Sequence, residues 1–425
     1  MPNIFSKSDN TESHGEQYYR ETSFRSALMS LTILFFMWGF ITSLNDILIP
    51  YLKALFDLTY TQAMLVQFCF FGAYFVVSIP AGRLCKKLGY QGGIVAGLAL
   101  SAMGGLLFYP AAAAVSYGLF LAALFVLASG ITILQVAANP YVTALGTETT
   151  ASGRLTMTQA FNSLGTTIAP FFGSLLIFGA VSGAGELASP AKQAQAVQLP
   201  YLMIAATLLL LSVIFYKLQL PEIKGHKEQV SDVDGTLFSH PHLILGAVGI
   251  FVYVGAEVSI GSFLINFFTD PHIGNMSEQV AANLIAYYWG GAMLGRFIGA
   301  SIMQFVSARY CLAFCSLMSM VLIGVSMQLE GNAAIYSILA VGLFNSIMFP
   351  TIFSLAINKL GDAASHGAGL LCLAIVGGAI VPLFQGMLAD MVGVQLSFLL
   401  PALCYVFIGY FGLKGHKPVN SSSER

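Results

Sequence analysis

Two carboxylates stand inside apolar runs of this chain, Asp46 in WGFITSLNDILIPYL and Glu257 in YVGAEVSIGSFLINFF. A charge held within a bilayer costs about 2.5–3.5 kcal/mol on insertion scales, so each acid needs a partner or a wet cavity. No Lys or Arg reads as lying in the middle of an apolar run, so a buried salt bridge is not expected. The functional reading is that a small cation serves as the partner. A carboxyl can carry a proton, or it can stay ionised and accept contacts only, which suits sodium shared with nearby carbonyl and amide oxygens. Asp46 and Glu257 are thus candidate cation-coupling residues and candidate sodium ligands. The rival reading, a carboxylate that fastens helices through hydrogen bonds, stays open for both.

Amides form a second set. Gln135 and Asn139 in ITILQVAANPYVTALG are four apart and share a helix face. Gln159 and Asn162 are three apart, Asn345 lies in LFNSIMFPTIF, Asn283 opens another run, and Asn45 adjoins Asp46. An amide both donates and accepts, which fits a neutral polyhydroxylated ligand. Trp38 and Trp289 lie within runs and could pack on the C–H face of a sugar. These nine are the candidate substrate-binding residues. For any one amide, a helix–helix hydrogen bond is an equal alternative, and for Tyr287 and Tyr288 packing is slightly favoured over ligand contact. The seven histidines fall in tails, loops or run edges, which excludes a histidine proton relay. There is no GxxxxGK[ST] loop, HExxH or GxSxG, so neither an ATP-driven pump nor an enzyme is expected, and no cofactor.

The elements that must position these groups are membrane helices. Of 425 residues, 57% are hydrophobic and 9% charged, against about 25% charged in a soluble domain. With Lys+Arg 18 and Asp+Glu 19, no basic field exists for nucleic acid. A span needs about 20 apolar residues, and twelve runs qualify: 27–53, 61–84, 91–110, 116–145, 153–181, 199–218, 241–268, 279–306, 309–328, 333–358, 365–391 and 395–413. None shows the ten-residue alternation of a membrane β-barrel. No cleavable signal is expected, because the first apolar run is too long for a signal core. The six cysteines, all in or at the ends of runs, read as packing residues.

With the N-terminus inside, all the Lys and Arg except Lys53 and Lys192 fall on the inner side, Arg296 among them. The positive-inside rule then puts both termini in the cytoplasm. The charged stretch 220–240 reads as an inner linker between a half at 27–219 and a half at 241–414, with tails at 1–26 and 415–425. The halves repeat. SLGTTIAPFFGSLL aligns with IVGGAIVPLFQGML, so that Gly165 matches Gly377 and Pro170 matches Pro382, each 212 residues apart. Gly82-Arg83 matches Gly295-Arg296, Pro140 matches Pro350, and Asp46 and Glu257 are themselves 211 apart. Such a duplication places a substrate near the bilayer midplane between the halves.

Twelve spans, duplicated six-helix halves and the basic PAGRLCKKLGY loop resemble the major facilitator superfamily. NDILIPYLK at 45–53, QVAANPYVTALG at 135–146 and FPTIFSLAI at 349–357 resemble its fucose:proton symporter and bacterial glucose/galactose transporter family, and GAEVSIGSFLINFF at 255–268 is similar to the glucose/galactose branch. The resemblance implies an all-α fold of two pseudo-symmetric halves. It also implies a monomer of the bacterial inner membrane that imports a hexose with a cation by alternating access. Asp46 matches an acid important for transport in the fucose symporter. The second acid of that scheme falls at Gln135, which cannot titrate, so Glu257 is the expected replacement, or the ion is sodium. Proton-coupled uptake of fucose or N-acetylglucosamine and passive sugar uniport are the alternatives.

Overall fold

The computed structural model describes residues 24–43, 52, 55–57, 60–173, 198–221 and 240–418. Asp46, Asn45, most of the linker and the ends of both tails lie outside the described residues. Among those described, nine stretches are long and apolar enough to cross a membrane. One of the nine holds two spans: helix Tyr60–Ala113 breaks at Gly89, whose φ of 73° is a left-handed value that glycine takes without a Cβ clash. We number the spans α1 (Phe24–Ser43), α2 (60–88), α3 (90–113), α4 (Tyr117–Ala144), α5 (Ala151–Gly173), α6 (Gln198–Lys217), α7 (Pro241–Thr269), α8 (Glu278–Ile302), α9 (Ala308–Gln328), α10 (Gly331–Ile357), α11 (Ala364–Val392) and α12 (Val394–Gly415).

The helices α5 and α8 are the two that fall short of the apolar standard. They also pack on each other across the halves. Phe161 of α5 meets Phe297 of α8 edge-on at 5.7 Å, and the Thr167 hydroxyl donates to the Met293 sulfur at 3.4 Å. A helix facing protein along its length need not be apolar all round. The deficit in hydropathy therefore marks the α5–α8 part of the seam between the halves.

The repeat read from the sequence has a structural counterpart. A Cβ at Gly165 would strike the Phe36 carbonyl of α1, and one at Gly377 would strike the Phe251 carbonyl of α7. Each half thus seats its fifth helix on its first through one glycine, the close backbone approach that small residues permit in membranes.

Proline shapes α10. It divides into Gly331–Asn345 and Met348–Ile357, with Ser346 and Ile347 between. Pro350 has no N–H, so the Ser346 carbonyl four residues earlier loses its helical donor. A replacement arrives from α8, where Arg296 Nε donates to the Ser346 carbonyl at 3.1 Å.

At the end of the bundle that carries Arg83, Lys86 and Lys87, hereafter the basic end, the halves touch. Ser152 of α5 and Ser354 of α10 share a hydrogen bond at 2.5 Å. The segment of α11 at that end packs on α2 and α4.

Candidate functional site between the halves

Four residues of α5, Ser152, Thr156, Gln159 and Ser163, recur at spacings of four, three and four. They form one buried stripe. Its two ends are tied to the other half, Ser152 to Ser354 and Ser163 to Arg296 Nη1. Between them, Thr156 Oγ1 has no hydrogen-bond partner among the described residues. Gln159 lies on this stripe one turn from Ser163, facing the opposite half.

Arg296 corrects the sequence reading. By sequence it groups with the inner basic residues, and no Lys or Arg reads as lying in the middle of a run. In the structure it lies inside α8, with Nη2 3.8 Å from Glu257 Oε1, and the two side chains are only 16% and 14% exposed. The guanidinium therefore reaches three helices: Glu257 on α7, the Ser346 carbonyl on α10 and Ser163 on α5. The fork of five donors suits this geometry in a way that a point charge does not. At 3.8 Å the contact with Glu257 is an ion pair longer than a hydrogen bond. Glu257 Oε1 has no hydrogen-bond donor among the described residues. Glu257 is thus neither bare in oil nor fully satisfied.

Asn345 is the centre of a network. Its Nδ2 donates to the Tyr288 hydroxyl at 2.8 Å, its Oδ1 accepts from the Tyr405 hydroxyl at 2.5 Å, and its carbonyl accepts from the Tyr253 hydroxyl at 3.0 Å. Tyr288 in turn donates to the Glu257 carbonyl at 3.3 Å. The network holds α7, α8, α10 and α12 together behind the carboxylate. Tyr253 is one turn from Glu257, so the backbone carrying the acid is clamped on both sides.

The remaining expected residues divide. In the N-terminal half, Gln135 Nε2 donates to the Tyr74 hydroxyl of α2. Asn162 Nδ2 donates to the Phe35 carbonyl of α1 at 2.9 Å. Asn139 is fully buried, and neither of its amide atoms has a partner among the described residues. Trp38 is buried against Phe35, with ring centroids 5.1 Å apart. It also lines an apolar crevice of about 10 Å³ with Leu98, Ile131 and Leu134, room for about one water and not for a sugar.

In the C-terminal half, Trp289 is exposed and packs edge-on against Tyr288. It lies two turns from Arg296 on the same face of α8. Beneath it is Gly261, where an added Cβ would come within 3.0 Å of the indole. Gly261 is one turn from Glu257. Asn283 is exposed on a different face of α8, alongside Tyr287, and the structure does not bring it to Arg296 or Glu257.

Sequence reasoning missed the roles of Arg296, Ser163, Ser346 and the tyrosines Tyr74, Tyr253 and Tyr405, and it named Tyr288 without its hydrogen bonds to Asn345 and Glu257. Two signals were present: Arg296 follows Trp289 at two helical turns, and Pro350 frees the carbonyl that Arg296 takes.

Comparison with known proteins agrees with this architecture. The pattern of the Major Facilitator Superfamily matches residues 31–375. A protein of Brucella abortus biovar 1 (strain 9-941) named glucose/galactose transporter is 57% identical over 392 residues, covering 92% of this chain and 94% of its own. The L-fucose-proton symporter of Escherichia coli (strain K12) is 35% identical over 401 residues, covering 90% of this chain and 91% of its own. A crystal structure of the transporter FucP, described as in the outward conformation, superposes with a TM-score of 0.85 at 34% identity, covering 92% of this chain and 98% of that one. Twelve helices in two repeated halves, with a charged seam between them, are here joined to a family match over most of the chain: the protein belongs to the major facilitator superfamily.

Proposed function

We propose that the protein is a cation-coupled symporter that imports a hexose by alternating access across the bacterial inner membrane. It acts as a monomer with both termini in the cytoplasm. The substrate class rests on kinship with proteins named glucose/galactose transporter and L-fucose-proton symporter. The observation that carries the coupling is the Glu257–Arg296 pair at the seam, next to the α5 stripe.

In this reading the basic end is cytoplasmic. The contacts Ser152–Ser354 and α11 on α2 and α4 close that end, in keeping with the likeness to a transporter in the outward conformation. Sugar enters from the opposite side. Gln159 offers it donors and acceptors, Gln135 offers its amide oxygen, since its nitrogen is held by Tyr74, and Trp289 offers an aromatic face. Asn162 and Asn345 act through position, because their amides are engaged by Phe35 and by Tyr288 and Tyr405.

The coupling cation, a proton or sodium, competes with Arg296 for the Glu257 carboxylate. When it binds, the guanidinium keeps Ser163 and the Ser346 carbonyl, and its Nη2 is released from Glu257 toward the sugar. When it leaves, the pair re-forms. A state in which the carboxylate or guanidinium is buried alone costs several kcal/mol, which keeps half-loaded forms from crossing. Asp46 is the second candidate for the cation.

A passive uniporter is the second reading. It is favoured by the same ion pair, since a carboxylate with a resident partner also suits a structural role.

Radiolabelled glucose uptake into proteoliposomes, with sodium and proton gradients imposed separately, decides between the two. Accumulation driven by one gradient, and lost in Glu257→Gln while counterflow persists, supports symport. Counterflow without gradient-driven accumulation establishes uniport.

A further inference from the structure

Three fully buried side-chain atoms lie on the basic side of the Gln135–Tyr74 bond: Ser78 Oγ, Asn139 Oδ1 and Asn139 Nδ2. None has a hydrogen-bond partner among the described residues. Helices α2 and α4 run in the same direction, and Tyr74 and Gln135 bind each other across them. Ser78 is four residues beyond Tyr74, and Asn139 is four beyond Gln135. Four residues are about one turn, or about 6 Å along the axis. The two residues therefore occupy the next rung of the same ladder, one step nearer the basic end.

The rung is roofed by the other half. A Cβ on Gly369 of α11 would lie 2.7 Å from the Ser78 carbonyl, and one on Gly82, a turn further along α2, would lie 2.9 Å from the Ser365 carbonyl. The same segment of α11 packs on α4. When the halves part at the basic end, this is the surface that is uncovered.

The atoms also define the ligand. A buried polar group without a partner carries a desolvation cost of about 1–3 kcal/mol, and three occur here together. A cation would satisfy Asn139 Oδ1 and Ser78 Oγ but leave the Nδ2 protons unmet. A hydroxyl both donates and accepts, so it can satisfy an amide and a serine at once. We propose that Ser78 and Asn139 form a second hydroxyl-binding station, distinct from the central site, which holds the sugar as it leaves on the cytoplasmic side. The proposal rests on the sugar-transport reading. Water has the same chemistry and is the competing occupant.

Sidedness tests it. Apparent KM for radiolabelled glucose is measured in right-side-out and in inverted membrane vesicles, for Ser78→Ala, Asn139→Leu and Asn139→Ser. The expected result is a KM from the cytoplasmic face raised roughly tenfold, on the scale of one buried hydrogen bond, with the KM from the outer face unchanged. If the rung holds only water, both KM values stay at wild type and the station is overturned. An equal rise on both faces assigns the pair to the central site and overturns it as well. Should Asn139→Leu fail to fold, Ser78→Ala and Asn139→Ser carry the same readout. Absence of glucose uptake in the wild type would instead refute the sugar reading itself, a result visible before any variant is compared.

Discussion

Glu257 and Arg296 set the energetics of the seam, because each is costly without the other. Removing one member of a buried ion pair costs about 3–5 kcal/mol, since the survivor is left uncompensated, whereas replacing both is often neutral. Arg296→Gln is therefore expected to lower the melting temperature of the purified protein sharply, and Glu257→Gln to do so as well. The double substitution should recover most of that loss. If the pair is also the coupling device, the recovered protein should still bind sugar and equilibrate it, yet fail to concentrate it. A double variant that accumulates sugar like the wild type would confine the pair to a structural role. A double variant no more stable than the singles would show that Ser163 and the Ser346 carbonyl, the guanidinium's other partners, carry the stabilisation instead.

At the scale of the element, Pro350 shows how a helix defect becomes a binding feature. Its missing N–H leaves the Ser346 carbonyl for Arg296, and the break in α10 falls beside Asn345, the hub of the tyrosine network. Pro350→Ala supplies the missing donor. The carbonyl is then expected to bond within the helix, so that Arg296 loses its anchor while stability is kept or raised. Sugar uptake should fall several-fold with no drop in melting temperature. Unchanged uptake would mean that Glu257 and Ser163 alone hold the guanidinium. The sequence made the proline break legible, because a proline must free a carbonyl four residues back. It also made the duplication legible, through Gly165 and Gly377, which seat equivalent helix pairs. The salt bridge was not legible. Arg296 is six residues from the end of α8, a place where a basic residue ordinarily sets topology. Only the packing of α8 against α5 and α7 shows that its long side chain turns toward protein. Asn162 and Asn345 show the same limit: an amide in a span declares a hydrogen bond but not whether its partner is a ligand or the neighbouring helix.

For the whole molecule, the seam has two kinds of contact, and they answer to different demands. The Arg296 cluster is an ion pair, which in the symport proposal exchanges the guanidinium for a cation. Ser152–Ser354 lies at the basic end, where two neutral hydroxyls bind with little strength and part with little cost. A net contribution of about 1 kcal/mol for such a bond is right for a door that must open in every cycle. Replacing both serines by cysteine converts this contact into a reversible lock. The two oxygens are 2.5 Å apart, which makes these the positions at this end to test for a disulfide. Oxidation is expected to abolish glucose transport while leaving binding from the outer face intact, and reduction should restore transport. Single-cysteine variants treated in the same way control for the native thiols, four of which are buried. Continued transport by a fully cross-linked protein would mean that the halves do not separate at this end, and the path through the molecule would have to lie elsewhere.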